Sequence, residues 1–231
     1  MKIFTRKYPD SVVNPDCSEF EVSNLIISKF VLKELVPIVG IKPYPLNELM
    51  LMTAAVCRFR PTHIFEWGTY LGKSARIFYE IISHFRIPCE VYSIDLPDNI
   101  PHPEHAKWLR GLYVKNIPIV KLLLGDGLKA AMNIYKKIQP KSYPFFFLDG
   151  DHKYVSVKRE LQVIIKEIPH AVVLVHDTFF QSSQSKYNTG PFRAVQVVLR
   201  SISRKYKIIS VNTGLPGMTL IYPHRKKAII L

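Results

Sequence analysis

Residues 63–78 read HIFEWGTYLGKSARIF. A short apolar run ends in an acid, Glu66. Gly68 and Gly72 follow, four apart, and Ser74 opens a stretch with helical spacing. Strand, glycine turn and helix together bring a ligand onto a helix N-terminus, where unpaired N–H groups and the helix dipole are available. The glycines narrow the choice of ligand. A dinucleotide fingerprint needs G-x-G-x-x-G, and a phosphate-wrapping loop needs G-x-x-x-x-G-K-[ST]. The GKS at 72–74 fits only the end of the second pattern, because Gly68 stands one position too close. An acid at the strand end also suits a cationic ligand better than a polyphosphate.

The same unit recurs along the chain. Strand-like CEVYSID, IPIVKLLLG, YPFFFLDG and HAVVLVHD alternate with helix-like HPEHAKWLRGLYVK, GLKAAMNIYKKI, YVSVKRELQVIIKEI and GPFRAVQVVLRSIS. PFFFL and AVVLV are continuous apolar runs, as expected of strands covered on both faces of a parallel sheet. The closing pair, YKIISVN and MTLIYP, is joined by TGLPG with no helix between, which predicts an antiparallel edge. The expected fold is therefore α/β: a doubly wound, mostly parallel seven-stranded sheet with helices on both faces. CSEFEVSNLIISKFVLKELV (17–36) and PLNELMLMTAAVCRFRP (45–61) predict two helices ahead of it. The chain divides into a helical extension or lid over 1–58 and a catalytic domain over 59–231, expected as one structural domain.

Such a sheet holds ligands at the C-terminal ends of its strands, and acids stand at all five parallel ends. They are Glu66, Asp95, Asp126 after the third strand, the LDGDH group (Asp149, Asp151, His152), and the VHDT group (His176, Asp177, Thr178). Singly, each has a plain explanation in turn or cap chemistry. Asp126 and Asp151 are placed to cap helices, and Asp95 to start a turn. Five on one rim are not explained that way.

With these motifs in order, the sequence resembles the Rossmann-like S-adenosylmethionine-dependent methyltransferases. FEWGTYLGKSA, VYSID, LLLGDG and FFFLDGDH match their successive motifs, and the likeness covers roughly residues 45–223. FLDGDHKYVSVKREL, AVVLVHDTF and GPFRAVQ are similar to a small-molecule O-methyltransferase branch, that of the cephalosporin hydroxylase-like, macrolide-sugar and, more distantly, catechol O-methyltransferases. The resemblance implies a cofactor, S-adenosylmethionine, held by Glu66, Gly68, Thr69, Gly72, Ser74, Asp95, Asp126 and Asp149. Asp95 would accept from the ribose diol and Asp126 face the adenine, while Ser74 reads equally well as an early-helix polar residue. His152 would be the general base. Asp149, Asp177 and His176 would hold Mg2+ or another divalent metal. The relatives place an acid or amide beside Asp177, whereas this chain has His176; magnesium's preference for oxygen then leaves a weak, a softer or no metal as alternatives.

Composition sets the outer bounds. The 231 residues carry 32 basic and 18 acidic side chains, a net charge of +14. The lysines are scattered at solvent-facing spacings without interleaved aromatics, so charge alone does not make a nucleic-acid face. A ribose-methylating RNA enzyme is the alternative reading, and a non-catalytic cofactor-binding protein a third. The [ND]-P-P-[YF] of amino-group methylation is absent, which favours a hydroxyl acceptor. Three well-separated cysteines, no apolar run of membrane-spanning length and no export signal predict a cytoplasmic protein without a disulfide scaffold. The expected partner is a small-molecule hydroxyl acceptor, selected by the N-terminal helices and the loop FFQSSQSKYNTG, with Phe179, Phe180 and Tyr187 as a candidate aromatic wall. The N-terminal helix is expected to act as a lid or as a homodimer contact.

Overall fold

The computed structural model describes residues 22–100, 107–138, 143–185, 188–202 and 205–223. Cys17, Phe20, Tyr187 and the basic HRKK stretch at 224–227 lie outside the described residues. Seven strands form one sheet: β1 His63–Trp67, β2 Glu90–Asp95, β3 Val120–Leu124, β4 Pro144–Leu148, β5 Val172–His176, β6 Tyr206–Val211 and β7 Met218–Pro223. Their order is β3-β2-β1-β4-β5-β7-β6. The first five are parallel, and β7 inserts antiparallel between β5 and β6. The expected fold class and antiparallel edge are both present.

The continuous apolar runs feed two cores. In β4, Phe145 and Phe147 point into one, and Phe146 and Leu148 into the other. In β5, Val172 and Leu174 separate in the same way from Val173 and Val175. This is the period-two alternation of a strand, with both faces dry. The first core is covered by α3 Leu46–Phe59 and α4 Lys73–His84, and the second by α5 Gly127–Ile138, α6 Tyr154–Glu167 and α7 Thr189–Ile202. Three consecutive, fully buried phenylalanines make β4 the keel of both layers. Burial of such a side chain contributes about 1.5–3 kcal/mol.

The N-terminal helices belong to the first core. Ile27 and Phe30 of α1 Asn24–Phe30, Val39 of α2 Val36–Val39, and Leu49 and Met52 of α3 pack in the cluster that holds Phe78 and Phe147. Between α1 and α2 the backbone widens into a π-helical turn, Val31–Leu35. Pro37 lacks the N–H that would bond Lys33, and Val36 N–H bonds Val31 O one residue further back instead. The helix expected over 17–36 thus begins at Asn24 among the described residues, and its helical path runs on to Val39.

One expected helix is corrected. Of HPEHAKWLRGLYVK, the described part holds only a 3-10 turn, Lys107–Leu109. Gly111 adopts a left-handed φ of 65°, which ends helical propagation. Its N–H bonds Tyr70 O at 2.8 Å and Tyr113 N–H bonds Leu71 O at 3.0 Å, strapping this segment across the glycine loop. Cys57 and Cys89 are free and buried. Among the described residues, no helix is long and apolar enough to cross a membrane.

Candidate active site

Register lines the strand ends up. Trp67 stands opposite Ile94 and Leu148, and Asp95 opposite Leu124, so the loops after β1–β4 share one rim. Gly68 is demanded by a close crossing: a Cβ there would lie 2.2 Å from Asp149 O, and its φ is 96°. Gly72, at φ 81°, starts α4 and takes Thr69 O as acceptor for its N–H. Gly125, at φ 151°, has open space where a Cβ would be.

Glu66 sits on the face of β1 that meets α4. Ser93 Oγ donates to its Oε1 at 2.6 Å and also bonds Thr69 Oγ1 at 2.8 Å. Its Oε2 is buried with no hydrogen-bond partner. Burial pushes its pKa up to about 7, against the opposing hydroxyls of Ser93 and, at longer range, Ser74. Asp95, also buried, accepts from Leu96 N–H at 2.9 Å through Oδ1 and from Arg110 Nε at 2.9 Å through Oδ2. Arg110 further bonds Asp98 and Leu96 O. A carboxylate offers two oxygens with two lone pairs each, the kind of acceptor that a diol calls for. Asp126 does what a cap does: Oδ1 accepts from Lys129 N–H at 2.8 Å, and Oδ2 pairs with Arg159 at 3.1 Å.

A denser network closes the ends of β4 and β5. His176 Nδ1 lies 2.8 Å from Asp149 Oδ1, and its Nε2 lies 3.0 Å from Glu48 Oε2 on α3. Asp149 Oδ2 accepts from Tyr44 Oη at 2.6 Å. Glu48 Oε1 accepts from Gly217 N–H at 2.8 Å. Burial pulls the His176 pKa down, but the charge and hydrogen bond of Asp149, the bond to Glu48 and the charge of Asp177 outweigh it. The net displacement is well upward.

Asp177 follows with a left-handed φ of 56°, an uncommon conformation for a residue other than glycine. Its Oδ2 accepts from His152 Nδ1 at 2.9 Å and from Asn188 Nδ2 at 2.7 Å, while its buried Oδ1 has no partner. Burial would raise its pKa, yet the His152 hydrogen bond and the charges of His176 and His152 bring it below the ordinary aspartate value. Burial likewise lowers His152, but the Asp177 bond and the charges of Asp149 and Asp177 lift it above the usual histidine range. Asp149, His176 and Asp177 each offer a ligand atom, all within 4.8 Å of one another.

The structure thus gathers Asp149, His152, His176 and Asp177, and sets Glu66, Thr69 and Ser74 together under the glycine loop. Asp151 stands apart, accepting from Lys153 N–H and Ser156 Oγ at the start of α6. Thr178 turns its hydroxyl to Thr219 and Asn212. Phe180 packs on Phe192 of α7 and is largely exposed. Tyr44 and Glu48 carry no sequence signal because their partners are distant in the chain, and Arg110 carries none because its stretch reads as a helix rather than as a turn that folds back on Asp95.

Residues 65–178 match the family model described as "Methyltransferase domain". That segment runs from β1 to just past the end of β5 and is similar to a methyltransferase domain. Among curated proteins none matches. Solved structures share the fold. The SAH-bound Podospora anserina methyltransferase PaMTH1 is 15% identical, with 87% of each chain covered and a TM-score of 0.53. The O-methyltransferase from Bacillus cereus in complex with SAH is 14% identical, with 94% of each chain covered and a TM-score of 0.53. The O-methyltransferase TomG from Streptomyces achromogenes, in complex with SAM, is 14% identical over 93% of this chain and 92% of its own, with a TM-score of 0.55. In this chain the glycine loop and the Asp149–Asp177 cluster both stand on the rim formed by the C-terminal strand ends.

Proposed function

We propose that the protein transfers a methyl group from S-adenosylmethionine to a hydroxyl of a small molecule. The observation that carries this reading is the His152–Asp177 pair on the rim of a methyltransferase domain. Asp177 fixes the His152 tautomer by accepting from Nδ1. Nε2 is then left as the proton acceptor on a ring that is 29% exposed. Methyl transfer to oxygen needs the acceptor aligned and its proton removed, and a positioned histidine suits the second task.

The cofactor fits the rim. The unpartnered Glu66 Oε2 belongs to a buried carboxyl whose charged form a cationic ligand would favour, and the open space at Gly125 leaves room along the β3 end. Asp95 would take the ribose hydroxyls, with Arg110 holding its carboxylate in place. Backbone at Gly68, Thr69 and Gly72 would face the amino-acid portion. When bound, S-adenosylmethionine would supply an activated methyl on a sulfonium, with a neutral thioether as the leaving group. The Nε2 of His152 takes the proton that the acceptor oxygen gives up.

A divalent cation also fits, because the buried Asp177 Oδ1 is unpartnered within the cluster. Asp149, His176 and Asp177 would hold it, and it would lower the pKa of an acceptor hydroxyl as a Lewis acid. O-methyltransferases among the fold relatives, one of them TomG, support the hydroxyl assignment. The test is single-turnover methyl transfer from labelled S-adenosylmethionine to a panel of sugars, catechols and other hydroxylated metabolites. Label in an acceptor, lost in His152→Ala with cofactor affinity retained, supports the reading. Cofactor binding with no transfer from the His152 protein to any acceptor class counts against it.

A further inference from the structure

The cluster at the ends of β4 and β5 contains an imidazole nitrogen, and its back is held from outside the catalytic motifs. We infer that this site selects a first-row transition dication, of the Mn2+ or Co2+ kind, over Mg2+, and that Glu48 of α3 is the positioning residue that makes it do so. The inference rests on the proposed function, whose metal it specifies.

His176 Nε2 faces Glu48 Oε2 at 3.0 Å, while Nδ1 faces Asp149 and Asp177. A cation held by Asp149 and Asp177 would take the place of the Nδ1 proton, while Glu48 would accept the proton that remains on Nε2 and so turn the Nδ1 lone pair to the cation. A ligating histidine nearly always has such a partner, a carboxylate or carbonyl that fixes its tautomer and raises its basicity. Glu48 itself is pinned: it is 1% exposed, and Gly217 N–H holds its other oxygen. Parity in β5 explains the aim. His176 shares a face with Val172 and Leu174, which pack in the core that contains α3.

The oxygen donors are arranged to match. Tyr44 occupies Asp149 Oδ2, leaving Oδ1 as its inward ligand atom. Asp177 keeps Oδ1 buried and unpartnered, an acceptor that hydrogen bonding inside the protein has not used. The left-handed backbone at Asp177 turns its carboxylate back toward His176 and His152. The resulting donor set is two carboxylate oxygens and one imidazole nitrogen. Mg2+ favours oxygen and exacting octahedral geometry, whereas imidazole suits the later dications, with affinity rising from Mn2+ to Co2+.

The experiment titrates the full chain, stripped with chelator, with Mg2+, Mn2+ and Co2+ by calorimetry, and records the Co2+ absorption spectrum. Binding of S-adenosylmethionine is measured in parallel. Wild type is expected to bind Mn2+ and Co2+ at least ~10-fold more tightly than Mg2+. Glu48→Gln should weaken Co2+ about 10- to 100-fold and alter its spectrum. His176→Asp, which makes the donor set all oxygen, should erase the preference; it serves as the second test where Glu48→Gln does not fold. Mg2+ binding as tight as Co2+ in wild type, no cation binding, or Co2+ affinity unchanged in His176→Asp overturns the inference. Cation selectivity without cofactor binding would sink methyl transfer and leave the site standing; cofactor binding without a cation would do the reverse.

Discussion

Glu66 is buried on the inner face of β1 with one carboxylate oxygen unpaired, and burial raises its pKa from 4.5 to about 7. The folded protein therefore holds a proton there that the unfolded chain releases between those values. That contribution to stability is full below about pH 4.5 and is lost as pH rises toward 7, by roughly 3 kcal/mol. Denaturant titrations from pH 5 to 7 on the unliganded protein should show this decline, and Glu66→Gln should make it shallower, leaving the share that the raised His152 and His176 contribute. The same residue makes a prediction about the ligand. A cation seated near Glu66 favours its charged form, so cofactor binding near pH 6.5 should release a proton, read as a binding enthalpy that changes with the buffer's ionisation enthalpy. At the other end of the rim, His152→Ala should lower kcat by about 10²–10⁴ while leaving cofactor affinity unchanged, measured by single-turnover methyl transfer.

At the scale of elements, the strap formed by residues 107–117 holds the glycine loop. Gly111 is its tightest point, since a Cβ there would lie 2.5 Å from Leu122 Cδ1 on a backbone of φ 65°. Gly111→Ala should cost about 1–3 kcal/mol and loosen cofactor binding, checked by denaturant unfolding beside a cofactor titration. This strap is also where the sequence misled. Its apolar spacing reads as a helix, and the left-handed Gly111, with the pairing of Gly111 and Tyr113 to the loop at 70–71, breaks it. The strands were legible because continuous apolar runs report burial on both faces directly. The acids at their ends were legible because the sheet aligns those ends. Tyr44 and Glu48 were not, since their partners lie 105 and 128 residues away. In sequence Glu48 is an ordinary acid in a helical first turn, and nothing local distinguishes it from a dipole-stabilising residue. Asp126, by contrast, has its local capping role.

For the whole molecule, two cores share one sheet, and the helices ahead of β1 close the first of them. Ile27, Phe30, Leu49 and Met52 pack with Phe78 of α4 over the sheet face that carries Phe147 and Leu174. The same segment delivers Glu48 from α3 and Tyr44 from the turn ahead of it to the strand-end cluster, so the geometry of that cluster and the stability of the fold are joined. A chain started at residue 59 should lose cooperative thermal unfolding and expose apolar surface, read by dye binding. The measurement that bears most directly on the account is a calorimetric titration of S-adenosylmethionine into the full chain and into Asp95→Ala, with thermal unfolding of both proteins as the control for fold. The account predicts one saturable site per chain and an affinity at least ~10-fold weaker in the variant, the loss of about two hydrogen bonds to the diol. No saturable binding to wild type, or equal affinity in a folded Asp95→Ala protein, would contradict it.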